Sequence, residues 1–160
     1  MRSGNIGRCM SSSDDTLSRR FMSKVVSWEV ETMNSVAIGS TGTYTAAVSD
    51  VDTARRMGSG DVPVLATPRV IAWMEAAAVA ALRGLPPELT SVGIHISVDH
   101  SIPTLVGAEV RALAEVRAVE GKRIEFDVRA FDGDRVVAAG THTRVIVDRT
   151  RFLARAGLPA

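Results

Sequence analysis

An almost entirely apolar stretch from Leu65 to Leu82 constrains this chain more than any other feature. It contains Thr67 followed by Pro68, a pair typical of a helix start, because threonine can cap the first free amides and proline is tolerated in the first turn. No helix breaker follows before Gly84. A helix that is apolar on every side is normally buried, so the sequence predicts one long helix enclosed by the rest of the fold.

Glu75 is the exception within this helix, since burying an unpaired carboxylate is very costly. Glu75 either lies on a narrow wet stripe, or satisfies a backbone group, or takes part in chemistry. The helix by itself leaves these interpretations open. A membrane span is excluded, because the stretch is too short and also carries Arg69.

Composition narrows the function classes. The 160 residues suffice for one domain with a real core, and 19 basic and 18 acidic residues are intermixed at a net charge of +1. We therefore expect no nucleic-acid partner and no membrane partner. The single Cys9 excludes an intramolecular disulfide and a cysteine-based zinc site, and the three histidines lack metal-motif spacing. Without a signal-peptide pattern, we expect a soluble cytoplasmic protein with no metal and no cofactor.

The chain divides into three unequal parts. Residues 1–36 mix SSSDD with scattered basic residues and show no sustained period, so we expect a poorly structured N-terminal extension. The folded domain should cover residues 37–155. Residues 156–160 form a short C-terminal tail.

Strand patterns fill most of the domain. Before the helix, residues 42–48 predict a first strand and residues 62–66 a short edge strand with an early proline, separated by an irregular loop. Beyond the helix, alternating apolar residues predict four strands in an antiparallel meander, with a hairpin turn at Asp132-Gly133. These four strands cover residues 91–100, 107–119, 122–131 and 135–147.

A single all-apolar helix needs a sheet curved around it. We therefore expect an α+β protein of hot-dog architecture, in which a long central helix is wrapped by a five- to six-stranded antiparallel sheet. Such a sheet leaves an edge strand free to pair with a second subunit. A homodimer or a higher homo-oligomer is the expected assembly.

His100 shares the strand parity of Ile94, Ile96 and Val98, so it should face the helix if those three do. Glu75 and His100 would then be two titratable groups in one apolar layer, which commonly marks a functional site. The alternative for His100 is a capping role in the turn that follows. His95 has the opposite parity and should lie on the outer surface.

Four further residues have both a structural and a functional interpretation. Thr67 can simply cap the helix, but the same helix start could also stabilise negative charge on an oxygen. Gly93 either admits a ligand or only begins a strand. His142 and Arg144 share parity on the last strand, where they would either lie on the surface or contact a phosphate or substrate.

Four motifs in order, VLATP, WMEAA, VGIHISVDH and GTHTR, resemble the hot-dog thioesterases of the fluoroacetyl-CoA thioesterase type over residues 41–151. The resemblance implies that Thr67, Glu75 and His100 match the catalytic threonine, glutamate and histidine of that group. It also implies that Gly93 matches a glycine at the acyl pocket and that Arg144 matches an arginine after the GTH motif. The substrate implied is an acyl-CoA.

The chain departs from that group in one respect. The fluoroacetyl-specific enzyme carries lid phenylalanines six and nine residues before its catalytic threonine, where this chain has Asp61 and Gly58. We therefore expect the hydrolytic residues to serve a different acyl group.

The expected function is hydrolysis of an acyl-CoA or acyl-carrier thioester to free acid and thiol. The alternatives are a non-catalytic module that binds acyl-CoA or another small ligand, and a hydratase-type hot-dog enzyme, since fold does not fix function. Thr67 and Glu75 are separated by about 12 Å of helical rise and about 80° of rotation. We therefore expect sites shared between two subunits, whereas a single-chain site would need the substrate or long side chains to bridge this distance.

Overall fold

The computed structural model describes residues 36–158, so most of the predicted N-terminal extension and the last two residues of the tail lie outside the described part. A five-stranded antiparallel sheet packs against one long helix, α2, as expected for the hot-dog architecture. The elements in chain order are β1 (Thr41–Ala47), α1 (Ala54–Met57), α2 (Thr67–Ala81), β2 (Leu89–His100), β3 (Glu109–Glu120), β4 (Arg123–Asp132), β5 (Arg135–Asp148) and α3 (Arg149–Arg155). None of the described helices is long and apolar enough to cross a membrane.

Helix α2 packs closely on the sheet through one face. A Cβ atom on Gly42 of β1 would lie 2.2 Å from the backbone nitrogen of Ala81, so only glycine permits this approach. Burial of each large apolar side chain contributes about 1.5–3 kcal/mol of stability. The buried residues of α2 are Val70, Trp73, Met74, Ala77 and Ala78.

The opposite face of α2 is not covered by the residues that the structure describes. Ala72 is exposed, and Val79 keeps 50% of its surface accessible. Within residues 36–158 of one chain, the prediction of a helix enclosed on all sides is therefore wrong. The apolar pattern continues around the helix because it includes a face that the sheet does not reach.

The strand order is β1-β3-β4-β5-β2. The predicted four-stranded meander is therefore wrong in one connection, because β2 pairs with β5 at the far edge and not with β3. Residues 101–108, which link β2 to β3, contain a proline and no hairpin turn signal, and they carry the chain across to β3, which pairs with β1. The predicted strand at 62–66 is also wrong, since it forms only isolated bridges, Thr53 with Leu65 and Val64 with Leu105.

Two register shifts decide which side chains face α2. On β2, the shift lies between Gly93 and His95, so Ile94 falls in the irregularity and is 53% exposed, contrary to its predicted inward orientation. On β5, the pairing moves from Val136 to Ala138 against consecutive residues of β4. Because side chains alternate with a period of two, a one-residue shift exchanges the two faces of the strand beyond it.

Candidate active site

Thr67 and His100 meet where α2 begins and β2 ends. The N-cap residue is Ala66, and no side chain caps this helix. The predicted capping role of Thr67 is therefore not formed. Its hydroxyl oxygen instead lies 3.1 Å from Nδ1 of His100. Burial lowers the pKa of His100 below its ordinary value of 6.5, while the nearby backbone of Ile102 acts in the opposite direction. The imidazole is thus mainly neutral at neutral pH, and its Nδ1 lone pair can accept the threonine hydrogen.

A cavity of about 280 Å³ opens beside this pair. Its position at a helix start, with polar side chains among apolar ones, is typical of small-molecule sites. Apart from Thr67 and His100, its lining consists of Ala54, Ser59, Val62, Val64, Leu65, Ser101, Ile102 and Pro103.

Glu75 lies further along α2 in a second group of residues. Its Oε1 atom is 3.6 Å from Nε2 of His142 and 3.7 Å from Nη1 of Arg144. A Cβ atom on Gly93 would lie 2.5 Å from the same oxygen and 3.0 Å from Cε1 of His142. Gly93 is therefore needed for the close approach of the carboxylate to the sheet. The Glu75 side chain remains 41% exposed, so it is neither buried nor confined to structural contacts.

Arg144 is held at all three of its side-chain nitrogens. Nε donates to Oγ of Ser91 and Nη2 donates to the carbonyl of Ser91, both at 2.9 Å, while Nη1 lies 3.1 Å from Nε2 of His142. The side chain is 7% exposed. Burial lowers the pKa of Arg144, and the charge of Glu75 works against that change, so the guanidinium remains a cation at neutral pH. The surface interpretation of His142 and Arg144 is wrong, because both are buried on the inner side of the sheet.

The five predicted site residues thus fall into two groups in one chain. Thr67 and His100 form one, and Glu75, Gly93 and Arg144 form the other. The inward orientation predicted for His100 is confirmed, since it shares a face with the core-packed Val98. Its pairing with Glu75 in one layer is not found, because its partner is Thr67. His95 is exposed, as predicted.

Ser91 and the inward role of His142 were missed from the sequence. Ser91 has no motif of its own, and it comes beside Arg144 only because β2 pairs with β5. His142 pairs with the buried Phe126 of β4. The sequence contains a partial signal for His142, because a residue paired with the apolar face of β4 should point inward. The hairpin turn predicts which residues pair, but the register that it predicts differs by one residue from the observed one.

The fold is shared with solved structures over nearly their whole length. The hot-dog-like protein from Thermanaerovibrio acidaminovorans superposes with a TM-score of 0.70 at 27% identity, covering 78% of this chain and 93% of that chain. A mutant of the fluoroacetyl-CoA-specific thioesterase FlK, in complex with fluoroacetate and CoA, superposes with a TM-score of 0.69 at 31% identity, covering 73% of this chain and 99% of that chain. The fold and these relatives define a hot-dog thioesterase.

The family follows from the sequence match. Residues 48–150 match the family of fluoroacetyl-CoA-specific thioesterases. The fluoroacetyl-CoA thioesterase of Streptantibioticus cattleyicolor is 38% identical over 93 residues, which cover 58% of this chain and 67% of that protein. The chain therefore belongs to the fluoroacetyl-CoA-specific thioesterase family, and it is a thioester hydrolase.

Proposed function

We propose that the protein hydrolyses short acyl-CoA thioesters at two equivalent sites in a homodimer, each combining Thr67 and His100 of one subunit with Glu75 of the other. The observation that carries this proposal is the 3.1 Å contact between the Thr67 hydroxyl and His100 Nδ1 beside a cavity of about 280 Å³. Binding of CoA by a structural relative supports the choice of thiol carrier. A cytoplasmic location remains a prediction from the sequence.

The neutral imidazole of His100 is suited to general base catalysis. It can take the proton of the Thr67 hydroxyl, or that of a water molecule held between the two side chains. Such assistance contributes roughly 10²–10⁴-fold to a rate. The acyl group would occupy the adjacent cavity, against the side chains of Val62, Val64 and Ile102.

The start of α2 also supplies a donor for the thioester oxygen. The amide of Ala66 donates to Asp52 and that of Arg69 to the carbonyl of Ala66, whereas Pro68 has no N–H. The amide of Thr67 is thus the donor left at this helix end among the described backbone hydrogen bonds. It lies at the positive end of the helix dipole, where developing negative charge on an oxygen is stabilised.

Glu75 cannot join this site from the same chain without the substrate bridging about 12 Å along the helix. A second copy of α2 running antiparallel would place its Glu75 near Thr67. The uncovered face of α2, with Ala72 and the half-exposed Val79, is a surface on which such a copy can pack. The edge strand β2 offers unpaired backbone groups for the same association.

Two routes to product are compatible with this arrangement. In one, the Thr67 oxygen attacks the acyl carbon, the C–S bond breaks, the CoA sulfur takes the proton, and water then hydrolyses the acyl-threonine. In the other, water attacks directly. Rapid acid quenching followed by mass spectrometry separates the routes, because only the first adds the acyl mass to Thr67.

Release of free thiol from a panel of acyl-CoAs, including an enoyl-CoA, tests the reaction. We expect thiol release that is lost in Thr67→Ala, while the exposed Thr150→Ala remains at the wild-type rate. Hydration of the enoyl-CoA without thiol release would favour a hydratase. Saturable binding without either reaction would indicate a binding module.

Mixed dimers test whether the sites are shared. Thr67→Ala and Glu75→Gln subunits, each inactive alone, are mixed under conditions that allow exchange, and heterodimers are purified with two different affinity tags. Activity should return, because each heterodimer contains one site with both residues intact. Heterodimers that remain inactive would refute the shared site without refuting thioester hydrolysis.

A further inference from the structure

We propose that His142 is a positioning residue that orients Arg144 towards Glu75. In this role its imidazole is neutral, with the hydrogen on Nδ1 and with an unprotonated Nε2 that faces Arg144. Its kinetic consequences depend on the proposed function above, whereas its protonation pattern does not. His142 itself contacts no substrate, because only 1% of its side chain is exposed.

The tautomer follows from the two neighbours of the ring. Nδ1 lies 2.8 Å from the carbonyl oxygen of His95, which can only accept, so Nδ1 carries a hydrogen. Nε2 lies 3.1 Å from Nη1 of Arg144, which can only donate, so Nε2 carries none. If both ring nitrogens carried a hydrogen, the N–H at Nε2 of His142 would point at an N–H of Arg144 and would displace the guanidinium.

The surroundings favour this neutral ring. Burial lowers the pKa of His142, the Arg144 cation lowers it further, and the exposed His95 adds a small effect in the same direction. The His95 carbonyl and the Glu75 carboxylate act in the opposite direction without reversing the change. The ring also stacks on Phe126, with centroids 6.2 Å apart, so it cannot turn without disturbing the core.

His142 completes the fixation of Arg144. Ser91 binds two of the three guanidinium nitrogens, which leaves Nη1, the one facing Glu75, to be fixed from another side. His142 provides that acceptor. At 3.6 Å, with no hydrogen on Nε2, it does not hydrogen-bond the Glu75 carboxylate, which stays free for chemistry. The ring therefore acts through Arg144 and not as an acid or base.

Loss of the acceptor should cost more activity than the loss of stability explains. In His142→Leu, we expect kcat/KM to fall by about 10- to 100-fold, the effect of displacing a site group by up to an ångström. His142→Gln, which can again present an oxygen to Arg144, should recover part of this loss. Val128→Ala is the control for destabilisation alone, because it empties a core position on the neighbouring strand while leaving Arg144 and its partners in place.

A double-mutant cycle decides whether His142 acts through Arg144. If it does, adding His142→Leu to Arg144→Met should reduce kcat/KM by less than twofold, because the group to be oriented is already gone. A double variant that loses the product of the two single effects would overturn the proposal. Unfolding midpoints are measured for all variants. The kcat/KM values of the cycle are compared only among variants that are folded under the assay conditions.

Nitrogen-15 NMR of the wild-type imidazole provides a test that needs neither activity nor a variant. We expect His142 at pH 7 to show a protonated Nδ1 and an unprotonated Nε2. A protonated Nε2 would overturn the proposal, whatever the kinetics. If the tautomer is found as expected but thiol release is absent, the proposed function fails while the orientation of Arg144 stands.

Discussion

The two groups of site residues along α2 differ in how much space the surrounding structure leaves around them. At the first residue of the helix, Thr67 is exposed, and its hydroxyl forms a hydrogen bond with His100 beside an open cavity. Two turns later, Glu75 lies against Gly93 and Arg144, where one added methyl group would have no room. The difference teaches that the sheet lies close against the carboxylate of Glu75, whereas the chain leaves open space where the acyl group would bind.

Removal of the Glu75 charge should have the largest effect. Glu75→Gln keeps the shape of the side chain but cannot act as a base, so we expect the rate of thiol release to fall by roughly 10²–10⁴-fold. Glu88→Gln, at an exposed loop position, is the matched control. A wild-type rate for purified Glu75→Gln would show that Glu75 has no part in the mechanism, and the comparison of the two groups would then have no functional meaning.

A methyl group placed in each region should sharpen the comparison. In Gly93→Ala, the new Cβ atom would meet Glu75 Oε1 at 2.5 Å, so the carboxylate must move. We expect a loss of about 10- to 100-fold in kcat/KM and a smaller effect on the free energy of unfolding, because the displaced atom is the end of a flexible side chain that is 41% exposed.

Gly60→Ala is the matched change near the cavity. Its Cβ atom would lie 3.4 Å from that of Ala54, an ordinary contact, so activity and stability should remain close to wild type. Equal losses in the two glycine variants, measured by steady-state kinetics and chemical denaturation, would contradict the proposed difference in the space around the two groups of site residues.

The pH dependence of kcat/KM should report the protonation state of His100 in the Thr67–His100 group. Because burial lowers the pKa of His100, the active neutral imidazole is present at neutral pH and is lost as pH falls through this lowered value. We expect kcat/KM to be flat near pH 7 and to decrease about tenfold per pH unit well below the pKa. Activity that rises on acidification would mean that the imidazolium is the working form.

The smallest expected effect concerns the acyl group. Gly58 and Asp61 are both exposed and provide no apolar cover over the cavity. Discrimination needs differential contacts in the transition state, so we expect fluoroacetyl-CoA and acetyl-CoA to differ by less than about tenfold in kcat/KM, as measured by competition. A preference of several orders of magnitude would show that another segment closes the site.

Local patterns in the sequence were sufficient for much of this protein. The Thr67-Pro68 helix start, the apolar run of α2 and the Asp132-Gly133 hairpin are short-range signals, and each predicted its element correctly. The ordered motifs identified the family, and with it the five candidate residues. These properties depend on neighbouring residues or on motif order, and both are visible in a linear sequence.

Only the tertiary structure decided how those residues are grouped. Asp132 pairs with Arg135, so an unbroken hairpin would place Thr141 opposite Phe126 and turn His142 away from α2. The one-residue shift at Val137 brings His142 opposite Phe126 instead, and Arg144 follows it inward. No local signal marks this shift, because side-chain direction in a strand depends on register, and register is set by packing of the whole sheet.

The same holds for the placement of β2 beside β5. A strand pairs with whichever edge the long-range topology leaves open, and its own alternation does not specify the partner. That choice brings Ser91 and Gly93 to Arg144. The sequence by itself thus determined which residues are candidates, whereas register and strand order, which depend on contacts between distant segments, decided which of them touch.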